Sequence, residues 1–318
     1  ITYPTDPNRG RRDFRLSTIG AAWQKSLLTK DTSGDYVGSV SIPKSGWKAF
    51  FIQMVFDTPS PIPGLDLPQF YLTTQVRVVP DAYPQFESYK TSVGTGEDIL
   101  PVCVLYGTPY EMGHDLGQLM ADDIQAFAPE FLALAQLADP ERASDQNLDA
   151  AWNAMTPYLD QDFVDELEGV AVGSGVDYDT LRRVHMIPAV ADYSCSSVAA
   201  WGNATSDGRL YQSRNLDWSI EAGAHNYPCL TMYIPDVGVP HVNVGFAGLV
   251  GAHCGMNLGG IVLAEMGDAK DTGSGFDLNG EHFMPMFRRI LNNALSLTEA
   301  IDILYEAPRV KKYHYVFG

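Results

Sequence analysis

"YSCSSVAAWGNATSDGRLYQSRNLDW", Tyr193 to Trp218, reads as two β runs folded about a turn. "CSSVAAWGNAT" and "GRLYQSRNLDW" carry β-branched and aromatic residues, and the "SDG" where they meet is a hairpin signal. A hairpin lays the second run back along the first. Arg214 to Asp217, about twenty residues downstream, then return beside Cys195. A thiol, a guanidinium and a carboxylate meet there without any long-range assumption.

Those groups suit nucleophilic catalysis. A free thiol has a pKa of roughly 8.5, and a neighbouring cation lowers it toward the reactive thiolate. Arg214 supplies a permanent positive charge. Asp217 can hold an ammonium or a guanidinium by a charge-assisted hydrogen bond. No histidine falls within the hairpin, so a papain-like pairing has no local support. A base is still needed. A cut between Ser194 and Cys195 would provide one, because the new α-amine has a pKa of roughly 8. The same residues also fit a second reading. In it the thiol is a small buried hydrophobe beside a structural ion pair, in a binding or scaffold protein.

Composition narrows the classes. The 318 residues are 45% hydrophobic and 11% aromatic, enough for two packed domains. The formal charge of −18 argues against nucleic acid and against docking on an anionic membrane. The apolar runs fall short of the ~20 residues a membrane helix needs, so no membrane insertion is expected. Cys103, Cys195, Cys229 and Cys254 form no CxxC pair, and the histidines form no HExxH. Neither a disulfide framework nor a metal site is expected, and no cofactor is implied. The chain starts at Ile1 without a signal segment and stops at Gly318 in a strand-like run. Both ends are expected to be cuts in a longer protein. Compartment and oligomeric state stay open.

Four segments follow from the pattern. Residues 1–82, with "DYVGSVSIP", "WKAFFIQMVF" and "FYLTTQVRVVP", read as a small β-sandwich-like accessory module. Residues 83–98 read as a linker. Residues 99–194 open with a strand, "PVCVLYG", and continue as helices. Leu116, Met120, Ile124, Phe127 and Phe131 recur at helical spacing, Thr108 and Glu111 form a capping box, and Pro109 takes the first helical position. Gly113 and Gly117 each weaken that helix, so close packing is expected to require them. Residues 195–318 return to strands, then "MPMFRRILNNALSLTEAIDILYEA" reads as two helices covering a sheet face. Arg288 and Arg289 there read as solvated or structural, and His253 and Cys254 as packing residues. "NAT" at Asn203 is a glycosylation sequon.

"CSSVAAWGNATSDGRLYQSRNLDW" resembles the start of the mature chain in N-terminal-nucleophile (Ntn) hydrolases, closest to peptidase family C45, the family of acyl-coenzyme A:isopenicillin N acyltransferase. "GTPYEMGHDLGQ" resembles that family's propeptide signature, and "FAGLVGAHCGMNLGGIVLAEM" its glycine-rich strand pair. The resemblance covers residues 99–318. It implies an autoproteolytic hydrolase or acyltransferase, with Cys195 as nucleophile and new N-terminus, supported by Arg214 and Asp217. It also implies an oxyanion role for Asn257. By its own chemistry Asn257 offers either such an amide donor or a plain turn residue in "GMNLGG". Residues 1–82 resemble the C-terminal region of PhoPQ-activated pathogenicity-related proteins, through "RRDFRLSTIGAAW", "GWKAFFIQMVF" and "LTTQVRVVPD". That likeness carries no active site. The expected fold is therefore α+β: a β-sandwich module, then an αββα Ntn-type sandwich, C-terminally truncated. The 99–194 segment is expected as a helical propeptide, and the expected partner is a small-molecule amide or acyl donor.

Overall fold

A boundary at Phe86 and Glu87 divides the chain into two compact units. A computed structural model of the chain describes residues 25–41, 48–57, 69–79, 87–96, 98–267, 277–311 and 313–318.

The first unit contains strands β1 (Thr29–Lys30), β2 (Tyr36–Val37), β3 (Lys48–Phe50), β4 (Gln53–Asp57), β5 (Gln69–Thr73) and β6 (Arg77–Val79). β1 pairs with β2, β3 with β6 and β4 with β5, each pair antiparallel. The last two pairs nest as one ribbon, joined by the Thr74 N–H donating to the Ile52 carbonyl at 2.9 Å. Met54, Val55, Tyr71 and Leu72 on this ribbon are exposed. Among the described residues the unit expected as a sandwich shows two-stranded ladders, with Ala49 of β3 buried. "RRDFRLSTIGAAW" and the Pro-rich loop after Asp57 lie outside the described residues.

The second unit is α+β. A seven-stranded sheet runs, from one edge, through β15 (His314–Phe317), β14 (Val262–Met266), β13 (Cys254–Asn257), β12 (His241–Phe246), β11 (Pro228–Pro235), β8 (Leu100–Gly107) and β7 (Tyr89–Val93). β8 and β11 are parallel, with Val102 opposite Leu230, and the other neighbours are antiparallel. β7 corrects the linker expectation, since it lies within 83–98 and hydrogen-bonds to β8. β8 reads as a continuous apolar run because Val102 to Leu105 are all buried, as in a strand covered on both faces. Its Cys103 lies 4.0 Å, sulfur to sulfur, from Cys229 on β11, and both thiols are free.

Helices α1 (Pro109–Leu119), α2 (Ala121–Ala138), α3 (Asp145–Met155), α4 (Gln161–Ser174) and α5 (Tyr178–Val190) precede Cys195. Helices α6 (Phe283–Asn293) and α7 (Leu297–Glu306) follow it. The expected capping box is present. The Thr108 N–H donates to the Glu111 carboxylate at 2.8 Å, and that bond holds the Glu111 pKa below the usual carboxylate range. One expected helix is two, broken at Met120, whose φ of −121° and ψ of 22° leave the helical region. The apolar stripe still faces the core, with Leu116, Met120, Ile124, Phe127 and Phe131 all buried.

Glycines set the crossing of α1 and α4. A Cβ at Gly113 would meet the Glu166 carbonyl oxygen at 2.0 Å, and one at Gly173 would meet the His114 carbonyl oxygen at 2.0 Å. Backbone cannot yield as a flexible side chain can. Gly173→Ala is therefore expected to destabilise the protein by about 1–3 kcal/mol or more. A urea midpoint equal to wild type would show that the two helices separate at no cost.

Residues 99–194 are no detachable appendage. β8 sits inside the sheet, and Leu116 and Phe127 share one buried core with Phe283 and Phe287 of α6. Ion pairs join the same parts: Arg288 to Glu166 at 2.8 Å, and Arg289 to Asp160 at 3.2 Å and to Glu281. Arg288 also lies 3.6 Å over the Tyr233 ring and bonds His241, a structural placement.

Candidate active site

The expected hairpin forms and returns Arg214 beside Cys195, with a one-residue register shift between Gly208 and Tyr211. β9 (Ser194–Gly202) and β10 (Gly208–Asp217) are antiparallel, with Leu216 opposite Cys195 and Arg214 opposite Ser197. Gly202 and Gly208, with φ of 58° and 73°, bracket the turn that holds exposed Asn203. The pair is its own two-stranded ladder beside β14, so β9 is not a strand of the large sheet.

Directly opposed residues share a face, and diagonal neighbours lie within reach of a long side chain. Arg214 is such a neighbour of Cys195. Its Nη2 donates to the Cys195 sulfur at 3.1 Å. Cys195 is half-buried, and the Arg214 side chain is only 8% exposed. The cation therefore acts on the sulfur with little water between them.

Asp217 does not hold Arg214. It lies opposite Ser194, on the exposed face of β10. Arg214 and Asp217 are three residues apart, and an odd spacing in a strand points side chains to opposite faces. Glu265 on β14 holds the guanidinium instead. Arg214 Nη2 lies 3.1 Å from the Glu265 carboxylate, and its Nε donates to the Glu265 carbonyl at 3.1 Å. The Tyr193 hydroxyl donates to the other Glu265 carboxylate oxygen at 3.0 Å. This residue was missed in the sequence. Its signal is a lone charge in the apolar run "IVLAEM".

Asn257 is also corrected. Its amide nitrogen donates to the carbonyls of Leu291 at 3.1 Å and Ala294 at 2.6 Å, and its oxygen accepts from the Ile261 N–H at 3.0 Å. The side chain caps α6 and closes the turn after β13. Both donors and the oxygen are committed, so no donor is left for an oxyanion. His253 packs edge-on against Phe246 and Phe283, and burial pushes its pKa down to about 3. Cys254 is packed as expected, its thiol pKa raised by burial.

A narrow apolar pocket with a free volume of about 30 Å³ adjoins the hairpin. Phe127, Phe131, Tyr193, Leu216, Trp218 and His253 are among its walls. Tyr193 and Leu216 flank Cys195 along and across the hairpin.

Glu265 makes the site sensitive to pH. Burial raises its pKa to about 7 although Arg214, Tyr193 and Lys311 pull the other way. The folded chain thus keeps a proton that the unfolded chain loses near the ordinary value of 4.5. This group's contribution to stability is full below the unfolded pKa and is lost as pH rises through about 7. Glu265→Gln is uncharged throughout and is expected to remove that loss. The check is the difference in urea midpoint between about pH 5 and about pH 8. An equal difference in wild type and variant would exclude Glu265 as the titrating group.

No family model matches the chain. A Dictyostelium discoideum protein, dcd1B, is 30% identical over 239 residues, 68% of this chain and 47% of its own length. A second protein from that organism, dcd1A, is 27% identical over 191 residues, 51% of this chain and 43% of its own length. An uncharacterized protein of Archaeoglobus fulgidus is 27% identical over 259 residues, 72% of this chain and 42% of its own length. The chain spans about half the length of the curated relatives it matches.

Proposed function

We propose that the chain is an Ntn-type cysteine amidohydrolase or N-acyltransferase that cuts itself between Ser194 and Cys195. The observation that carries the reading is the Arg214 guanidinium on the Cys195 sulfur at 3.1 Å, at the head of a strand. The partner on that sulfur is a permanent cation and not an imidazole, which favours this reading over a papain-like one. The resemblance of "CSSVAAWGNATSDGRLYQSRNLDW" to family C45 points the same way.

In this scheme the freed α-amine of Cys195 is the base. The thiolate attacks the carbonyl carbon of an amide or acyl donor, the leaving group departs with a proton, and a thioester remains on Cys195. Water or an acceptor amine then takes the acyl group and restores the thiol. Arg214 stabilises the thiolate, and Glu265 holds Arg214. Asp217, opposite Ser194, is next to the amine that the cut releases and orients it. The pocket walls beside Tyr193 and Leu216 are apolar, which favours an apolar over a charged group next to the sulfur. The β9–β10 ladder is read as the start of the second sheet of an αββα sandwich.

Intact-mass analysis is the test. Two pieces that meet at Ser194–Cys195, with turnover of N-acyl amides, are expected. A chain that stays whole and turns over none of them would instead sustain the non-catalytic scaffold reading.

A further inference from the structure

The residues just before Cys195 are held from outside their own segment. Ala191 caps the C-terminus of α5, its N–H donating to the Ile187 carbonyl at 2.8 Å. Lys311, on the approach to β15, donates its ammonium to the Ala191 carbonyl. The same Nζ lies 3.6 Å from the Asp192 carboxylate. It also sits 5.6 Å over the Tyr193 ring and 5.4 Å over the Tyr313 ring. The Tyr313 hydroxyl donates to the Pro188 carbonyl at 2.7 Å. Tyr193 is fixed further by Trp218, whose ring centroid is 5.1 Å away.

A lysine side chain that is 2% exposed is costly unless its charge is used. Here the ammonium meets the negative end of a helix, a carboxylate and two ring faces, all favourable to a cation. Together these contacts fix where α5 stops and where the chain enters β9.

We infer that Lys311 is a positioning residue for the Ser194–Cys195 cut, clamping Ala191 to Tyr193 so that the Ser194 carbonyl stays within reach of the Cys195 sulfur. The inference rests on the cleavage proposed above. In that step the sulfur bonds to the Ser194 carbonyl carbon and the C–N bond to Cys195 breaks. The thiol proton passes to the nitrogen, leaving a thioester and a free α-amine. Water then hydrolyses the thioester to the Ser194 carboxylate and the Cys195 thiol. Lys311 acts through the three residues it holds. Misplacement by ~1 Å costs about 100-fold in such a geometry.

The experiment compares full-length wild type, Lys311→Met, which keeps the stem without the charge, and Lys311→Arg, which keeps a cation. The cut is followed by intact mass in newly synthesised chain. Lys311→Met is expected to be cut at least ~10-fold more slowly, and Lys311→Arg to recover most of the rate. A second arm uses Cys195→Ala, which cannot cut. Adding Lys311→Met there is expected to raise amide hydrogen exchange over residues 188–195 while leaving the rest unchanged. If wild type is cut and Lys311→Met keeps pace, the inference fails and the cleavage reading stands. Faster exchange throughout the chain would also overturn it, since Lys311 would then serve general stability. If wild type itself is never cut, the cleavage reading falls and this inference falls with it.

Discussion

Cys195→Ala is expected to leave the chain whole and to abolish acyl transfer. One sulfur serves as attacker in both steps, so no residual route remains through the methyl side chain. The fold should survive, because Cys195 is only half-buried and its removal takes a single sulfur from the hairpin face. Cys195→Ser is the informative companion. A hydroxyl can make the same N-to-O shift, but it is the weaker nucleophile, so slow cutting with little turnover is expected. Intact mass over time and turnover of N-acyl amides measure both variants. An alanine variant cut normally at Ser194–Cys195 would assign the cut to an external protease.

Arg214→Ala is expected to slow thiol alkylation near neutral pH and to lower turnover by about 100-fold or more, the scale of losing one preorganised charge. It should also lower stability, because Glu265 is fully buried and loses its main cation. The double variant Arg214→Ala/Glu265→Gln separates the two effects by removing both charges. Recovered stability with alkylation still slow would place Arg214 in the thiol's chemistry. Recovery of both would reduce the Arg214–Glu265 pair to a structural one. Asp217→Asn gives the contrast. Its carboxylate is exposed, so stability within ~0.5 kcal/mol of wild type is expected. A loss of turnover without a loss of folding would then report on the freed amine.

The hairpin was legible in the sequence because its causes are local. Alternating side chains and a Gly-containing turn bring the second run back along the first. The pairing shifts by one residue between Gly208 and Tyr211, and that shift, not the turn alone, sets Arg214 diagonal to Cys195. The odd spacing that turns Asp217 to the other face was equally readable, and it outweighs the paired role that the family likeness implies. The Thr108–Glu111 cap and the stripe from Leu116 to Phe131 were likewise set by neighbours three and four residues apart. Gly113 and Gly117 announced a close approach, but not that α4 would be the element approaching.

What the tertiary structure decided is where distant partners arrive. Asn257 became a helix cap because the carbonyls of Leu291 and Ala294 come to it. Glu265 became the counter-ion of Arg214 because β14 lies beside the hairpin. Lys311 became the clamp on the cleavage junction because the approach to β15 passes the end of α5. The 99–194 segment became part of the sheet because β8 pairs with β11 across the junction. The sequence by itself determined the hairpin, the helix cap, the apolar stripe and the approach of the guanidinium to the thiol. Those depend on backbone geometry and near neighbours. The fate of each buried polar group depended instead on which long-range partner satisfied it, since a buried donor or charge takes the partner the packed fold brings within reach.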